Sequence, residues 1–195
     1  MKKNPEQTEQ TRQNLKNAYW KLFAAGEKTT VDAVCRAAGY NRCTFYRYYD
    51  SSAAVLEEIE NELCTAIRTI AQTAAEKNDP PQFLREMTLL LESKGEYICT
   101  LLGEDGDPKF MYRVKEQMSP ILLKFYDLEQ YPQRDLLLTF CSHGISQTLA
   151  AWYKGGKILK LEDLTSFVST LICGTLSGIN QRTAQFEKPI KDCCT

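Results

Sequence analysis

The sequence predicts an all-α protein, with a three-helix N-terminal head followed by a larger helical body. Three observations predict it. Apolar residues recur at helical spacing along nearly the whole chain, no run alternates as a half-buried strand does, and Gly and Pro clusters separate the periodic stretches. The 195 residues, 43% hydrophobic and 25% charged, suit a globular chain of one or two domains. We therefore expect about nine helices, in a head over residues 1–50 and a body over residues 51–195.

The first helix of the head is predicted over about residues 8–25. Its apolar positions recur at i, i+3, i+4, i+7 and i+8 from Leu15, which places them on one face. Gly26 follows, and glycine suits the left-handed turn after a helix. This helix therefore has a buried stripe and a polar outer face.

The second and third helices are short and lie on either side of Gly39. The second covers about residues 31–38, with Thr30 (or Thr29) as its N-cap, and Gly39 stops it. The third runs from Arg42 to about Tyr48 after a cap at Asn41. Two short helices joined by a glycine turn have the proportions of a helix-turn-helix.

The body begins with a long fourth helix, from about Ser52 to Lys77. Asn78-Asp79-Pro80-Pro81 is the clearest break in the chain, because proline cannot continue a helix but can begin the next one. The further helices are predicted at about 81–92, 94–102, 108–125, 133–153 and 161–185.

Charge is distributed unevenly along the chain. Residues 1–49 carry nine Lys and Arg against four acidic residues, whereas the remainder carries fifteen against twenty-one. A basic head on an acidic body indicates that the head contacts a polyanion.

Several function classes are excluded by what the sequence lacks. Lys2 and Lys3 precede a polar stretch rather than an apolar one, so we expect no signal peptide, and no segment is apolar enough to span a membrane. We expect a cytoplasmic protein. The eight cysteines show no metal-ligand spacing, and His143 stands alone, so reduced thiols, no metal and no cofactor are expected. With no phosphate loop and no GxSxG, we expect no enzyme.

The third helix carries side chains suited to reading DNA. Phe45 is predicted to face the core, which leaves Arg42, Cys43, Thr44 and Tyr46 toward solvent. Arginine can bond guanine bidentately, threonine can contact a base edge, and tyrosine can reach a phosphate. Three short helices with a basic surface also occur in proteins that never meet DNA, so this pattern alone leaves both interpretations open.

Residues 29–49, TTVDAVCRAAGYNRCTFYRYY, closely resemble the DNA-binding signature of the TetR-like (tetracycline-repressor-like) transcriptional regulators. The Thr-Phe-Tyr-Arg-Tyr-Tyr core after a glycine turn is the most specific part of the likeness. Residues 101–110 and 144–156 are similar to one C-terminal branch found with such heads.

The resemblance implies a homodimeric repressor whose two heads enter successive major grooves of a pseudo-palindromic operator. It implies base contacts from Arg42, Cys43 and Thr44, and phosphate contacts from Thr30, Tyr46 and Tyr48. Two positions depart from the family pattern. Ser52 replaces a lysine that contacts phosphate, which should weaken binding and lower the salt slope by about one unit, and Cys43 replaces a small residue.

The resemblance also assigns two roles to the body. Its last two long helices would form the dimer, through the small residues Ser142, Gly144, Ser146, Cys173, Gly174, Ser177 and Gly178. A small apolar or aromatic effector would bind in a cavity of the body and release DNA. The candidate pocket residues are Tyr97, Phe110, Met118, His143 and Trp152, with Phe83, Met111, Phe125 and Phe140 as further candidates. For all of them, a filled core is the competing interpretation.

A second function remains open at this stage. The chain could be a TetR-like protein partner or coactivator without DNA binding of its own, and Ser52 in place of lysine is the feature that favours it.

Overall fold

A computed structural model describes residues 5–104 and 106–186. It contains eight α-helices and no strand in these residues, which confirms the predicted all-α class. The helices are α1 Pro5–Ala24, α2 Val31–Ala38, α3 Arg42–Phe45, α4 Ser52–Lys77, α5 Pro80–Leu102, α6 Pro108–Phe125, α7 Arg134–Lys154 and α8 Leu161–Phe186.

The chain forms two compact units, Met1–Leu63 and Cys64–Thr195. The division falls inside α4, since the first half of this helix packs in the core of the head, with Val55 and Ile59 buried. The domain ranges 1–50 and 51–195 therefore remain a prediction.

Two helices differ from their predicted lengths. The third helix ends at Phe45 rather than near Tyr48, because the chain tightens into a turn in which the Arg47 N–H donates to the Thr44 carbonyl at 3.3 Å. The stretch predicted as two helices, 81–92 and 94–102, is the single helix α5. Gly95 lies buried within it, and one glycine costs a helix only about 1 kcal/mol, too little to break it.

The body buries its apolar side chains in clusters shared by several helices. Ala71 and Ala74 of α4 pack with Ile121 of α6, and Cys141 of α7 packs with Leu176 of α8. None of the helices in the described ranges is both long and apolar enough to cross a membrane.

Candidate nucleic-acid interface

The α2–turn–α3 segment is defined by its caps. The Ala33 N–H donates to Thr30 Oγ1 at 3.3 Å, and the Thr44 N–H donates to Asn41 Oδ1 at 2.8 Å. Between the two helices Gly39 takes a φ of 73°, which side chains other than glycine rarely adopt. Both predicted N-caps and the predicted turn residue are thus present, and the segment has helix-turn-helix geometry.

The core of the head determines which side of α3 faces outward. Phe45 is fully buried and Tyr49 nearly so, with their ring centroids 5.7 Å apart. The other side of the helix presents Arg42 and Cys43 exposed and Thr44 half-buried. The three residues expected at base edges therefore lie outside the core, beside one another on one short helix.

The three residues expected at phosphates differ in exposure. Thr30 is exposed at the N-terminus of α2, where backbone N–H groups and the helix dipole favour an anion. Tyr46 is 54% exposed, and its ring packs edge-on against Phe45 with centroids 5.7 Å apart. Tyr48 is half-buried. Thr30 and Tyr46 are the more accessible of the three.

Arg42 forms a bidentate ion pair with Asp32 of α2, which the sequence interpretation did not foresee. Nε and Nη2 of Arg42 donate to the two carboxylate oxygens of Asp32, and both side chains stay more than half exposed. The hydrogen bonds from Arg42 hold the pKa of the Asp32 carboxyl below its ordinary value, and the same pair raises the pKa of Arg42. A signal was present in the sequence, since Asp32 is the one acidic residue between Thr29 and Tyr49.

A partly buried charge network within the head links α1 to α4. Arg12 and Lys16 of α1 both reach Glu58 of α4, at 2.5 and 3.1 Å, and Lys16 also reaches Glu62 at 2.6 Å. Desolvation acts to raise the pKa of the Glu58 carboxyl, but the hydrogen bonds from Arg12 and Lys16 outweigh it and lower that pKa. Glu58 is therefore the shared acceptor that stabilises the head.

Replacing Glu58 by Gln is expected to destabilise the head at neutral pH and to matter little in acid. A carboxylate with a lowered folded-state pKa stabilises the fold above its unfolded pKa of about 4.3, and this contribution is lost as pH falls through the folded-state value. We expect a loss of about 1–2 kcal/mol at pH 7, allowing for solvent screening. Urea unfolding at pH 7 and at pH 3 measures it.

Glu62→Gln is the matched control for this prediction. The Glu62 side chain is 55% exposed against 17% for Glu58, and its ion pair with Lys16 should contribute at most about 1 kcal/mol. Equal losses for the two variants, or a Glu58→Gln loss that persists unchanged at pH 3, would contradict the role given to Glu58.

The body contains an apolar cavity of about 420 Å³ that is partly open to solvent. Its polar groups are few: Thr165, Ser169 and the pair formed by Tyr126 and Cys173, whose Oη and Sγ lie 2.9 Å apart. Among the described residues that line it, none carries a charge. The lining is Pro80, Pro81, Phe83, Leu84, Met87, Leu91, Met118, Leu122, Phe125, Tyr126, Ile145, Leu149, Thr165, Val168, Ser169, Ile172 and Cys173.

The structure brings together only part of the predicted effector pocket. Met118 lines the cavity, as do the further candidates Phe83 and Phe125. Of the other candidates, Met111 and Phe140 do not line it, and neither do four more residues. They are Phe110, which is fully buried in the core, Tyr97, whose ring lies 5.7 Å from the Lys94 ammonium, Trp152, whose indole donates to the Leu159 carbonyl at 2.9 Å, and His143, which is exposed with Nδ1 2.9 Å from the Thr139 carbonyl.

The outer faces of α7 and α8 expose large apolar side chains. Leu136 and Phe140 of α7 are 73% and 68% exposed, and Phe167 and Leu171 of α8 are 51% and 52% exposed. Of the predicted small residues, Gly144, Cys173 and Gly174 are exposed and Ser146 is buried within the unit, where its hydroxyl lies 3.2 Å from the Met111 sulfur. The Ser177 side chain lies outside the described residues.

Cysteine thiols and other possible metal ligands are not clustered in the described ranges. No group of three or more His, Cys, Asp and Glu side chains there is placed to hold a metal ion. The six described cysteines are free thiols, of which Cys43 and Cys173 are exposed. Cys193 and Cys194 lie outside the described residues, as does Asp105 of the 101–110 motif.

The described residues combine a helix-turn-helix unit with a helical unit that contains an apolar cavity. This combination defines a class of two-unit helix-turn-helix proteins. Residues 78–174, about half of the chain, match the TetR_C_8 family model, Transcriptional regulator C-terminal region. The crystal structure of a TetR transcriptional regulator from Streptococcus agalactiae 2603V has the same fold, with a TM-score of 0.61 over 86% of this chain and 96% of that chain, at 24% identity. No curated protein gives a match. The chain belongs to the TetR-like family of transcriptional regulators, as the sequence predicted.

Proposed function

We propose that this chain is a transcriptional repressor, acting in the cytoplasm, that binds a pseudo-palindromic operator as a homodimer and is released by a small effector. The observation that carries the proposal is the exposed surface of α3. Arg42, Cys43 and Thr44 stand there beside one another, and Thr30 and Tyr46 flank them. Arginine and threonine suit base edges, whereas a helix N-terminus and a tyrosine hydroxyl suit phosphates. Enzymatic activity forms no part of the proposal.

A selection from random DNA duplexes tests the proposal without knowledge of the operator. The full chain is incubated with the library, bound duplexes are recovered and amplified, and the enriched sequences are aligned. A dimer with two equivalent heads should enrich an inverted repeat with half-sites about one helical turn apart, or a multiple of it. Enrichment of no sequence would contradict the proposed function.

Dimerisation is proposed through the outer faces of α7 and α8. Exposed apolar side chains recur there at helical spacing, at Leu136 and Phe140 on one helix and at Phe167 and Leu171 on the other. Gly144 and Gly174 lie on the exposed surface, and a Cβ at either would meet nothing within 4 Å. A second copy of the chain would cover these faces in a four-helix contact, which is the occupant that the family resemblance implies.

The cavity is the proposed effector site. Since no described lining residue is charged, a charged ligand would lose its hydration without gaining a partner, which is costly. An uncharged apolar or aromatic molecule suits the site, with one polar group directed at Tyr126 or Cys173. Coupling between effector and operator is expected to be about 1–3 kcal/mol, as is typical of allosteric proteins.

Partly filling the cavity is expected to weaken binding of a neutral apolar dye. Met87 of α5 lines the cavity, so Met87→Trp removes part of its volume. We expect the fluorescence enhancement of N-phenyl-1-naphthylamine to fall severalfold in this variant. Leu89→Trp is the control, because Leu89 lies on the same helix and is 61% exposed. Equal dye binding by wild type and Met87→Trp, with both folded by circular dichroism, would contradict the proposed effector site.

A second function is a protein partner that has given up independent DNA binding. Ser52, at the start of α4, stands where the family pattern has a phosphate-contacting lysine, and this observation favours it. The duplex selection separates the two functions, since a protein partner would enrich no sequence.

A further inference from the structure

The DNA-facing surface of the head contains one acidic side chain, and it is paired. Asp32 is the single acidic residue within 29–49, a segment otherwise rich in arginine and tyrosine. Its side chain is 51% exposed in the first turn of α2, two residues from the phosphate contact proposed for Thr30. A carboxylate there repels the phosphate backbone, so a compensating role accounts for its place on this surface.

The geometry of the ion pair leaves the base-reading edge of Arg42 free of Asp32. A guanidinium has five N–H groups in a planar fork. Asp32 accepts from Nε and from one hydrogen of Nη2, which lie along one side of the fork. The second Nη2 hydrogen and one hydrogen of Nη1 point from the end of the fork, and this end is the edge that can donate to O6 and N7 of a guanine.

Pairing also reduces the freedom of a long side chain before DNA arrives. Arg42 opens a helix of only four residues, and its side chain is 64% exposed. Asp32 lies on α2, so the two hydrogen bonds fix the guanidinium against a second helix. A guanidinium that is already oriented loses less conformational entropy when it binds a base.

Charge leads to the same conclusion. The carboxylate offsets the positive charge of Arg42, so this arginine contributes less to attraction by phosphates at random sequence. Its contribution is then concentrated in the directional contact to a base. Asp32 thereby lowers the affinity of the head for DNA of any sequence and increases its discrimination among sequences.

We propose that Asp32 is a specificity-determining positioning residue, which orients Arg42 so that it reads one guanine in each operator half-site. The inference rests on the proposed function, because it requires that Arg42 meets DNA. Asp32 itself contacts no base in this arrangement and acts through the arginine. A change at Asp32 should therefore alter discrimination at the base pair that Arg42 contacts.

The test uses the full chain and the duplex enriched by the wild-type protein. Each base pair of that duplex is substituted in turn, and the affinity of wild type, Asp32→Asn, Arg42→Ala and the double variant is measured for every duplex and for scrambled DNA. We expect Asp32→Asn to lower discrimination at one G·C pair per half-site by about tenfold. Arg42→Ala should lose discrimination at the same pair. Since the two residues act as one unit, the double variant should show the same discrimination at that pair as Arg42→Ala.

Glu27→Gln is the charge-matched control. Glu27 is exposed in the turn after α1 and is also in the head. Both Asp32→Asn and Glu27→Gln remove one negative charge, and each should leave affinity for scrambled DNA equal to that of wild type or higher. Only Asp32→Asn should lose discrimination. Circular dichroism checks the fold, because Asp32 lies in the first turn of α2.

Two results would overturn the inference while leaving the proposed function standing. One is an Asp32→Asn variant that binds all duplexes more tightly but discriminates as wild type does. The other is a change at a base pair different from that affected by Arg42→Ala. If the wild-type protein enriches no duplex at all, the proposed function fails, and this inference fails with it.

Discussion

Replacing Arg42 by Ala is expected to lower operator affinity by about tenfold or more for each half-site, and so by about a hundredfold for the dimer. The guanidinium is exposed at the start of α3, where its end-on edge can reach a base. The dimer should persist, since Arg42 lies in the unit Met1–Leu63 and the proposed dimer faces lie in the other unit. Fluorescence anisotropy with the selected duplex and with scrambled DNA measures the change.

Two further variants control the Arg42→Ala measurement. Arg68→Ala removes the same charge from α4 in the second unit, and it should leave discrimination unchanged. Tyr46→Phe removes only a hydroxyl, so it should weaken binding to the selected and the scrambled duplex by similar factors, because phosphate contacts carry no sequence information. An Arg42→Ala protein that binds the selected duplex as tightly as wild type would contradict the base contact proposed for Arg42.

Replacing Phe140 by Glu is expected to convert the dimer into a monomer and to weaken operator binding by about a hundredfold or more. The side chain is 68% exposed, so a carboxylate there costs the isolated subunit little. In the proposed interface the same carboxylate would be buried without a partner. Operator affinity should fall as well, because linking two heads makes the second binding event intramolecular.

Light scattering after size exclusion measures the dimer, and Leu89→Glu is its control. Leu89 is 61% exposed on α5, which is not one of the two helices of the proposed interface, and its replacement should leave the mass unchanged. A Phe140→Glu protein that keeps the mass of the wild-type dimer would contradict the proposed interface. Loss of the dimer in both variants would indicate a different interface.

Local sequence signals predicted most of the fold. Caps and breakers act on neighbouring residues, which is why Thr30, Gly39 and Asn41 could be assigned before any tertiary contact was known. Two elements differ from the lengths that local signals predicted. Gly95 lies buried inside α5, where tertiary contacts offset the weak helix propensity of glycine, and the chain after Phe45 tightens into a turn over the core of the head.

The candidate site was less predictable where it depends on contacts between helices. Residue types placed Arg42 and Thr44 outward, but the pairing of Arg42 with Asp32 requires the mutual placement of α2 and α3. The cavity shows the same limit. Residue type made Trp152 and His143 candidates for the effector pocket. The orientation of each helix, however, decides which side chains line the cavity.

The most direct test of operator recognition is fluorescence anisotropy of the wild-type protein with DNA flanking its own reading frame, against scrambled DNA, across a salt series. We expect saturable binding to one stretch that falls steeply with salt, because released counterions drive binding to phosphates. With Ser52 in place of lysine, the slope should be lower by about one unit than for a head that keeps that lysine. Equal, weak binding to both DNAs would contradict sequence-specific recognition and leave a protein as the partner of the head.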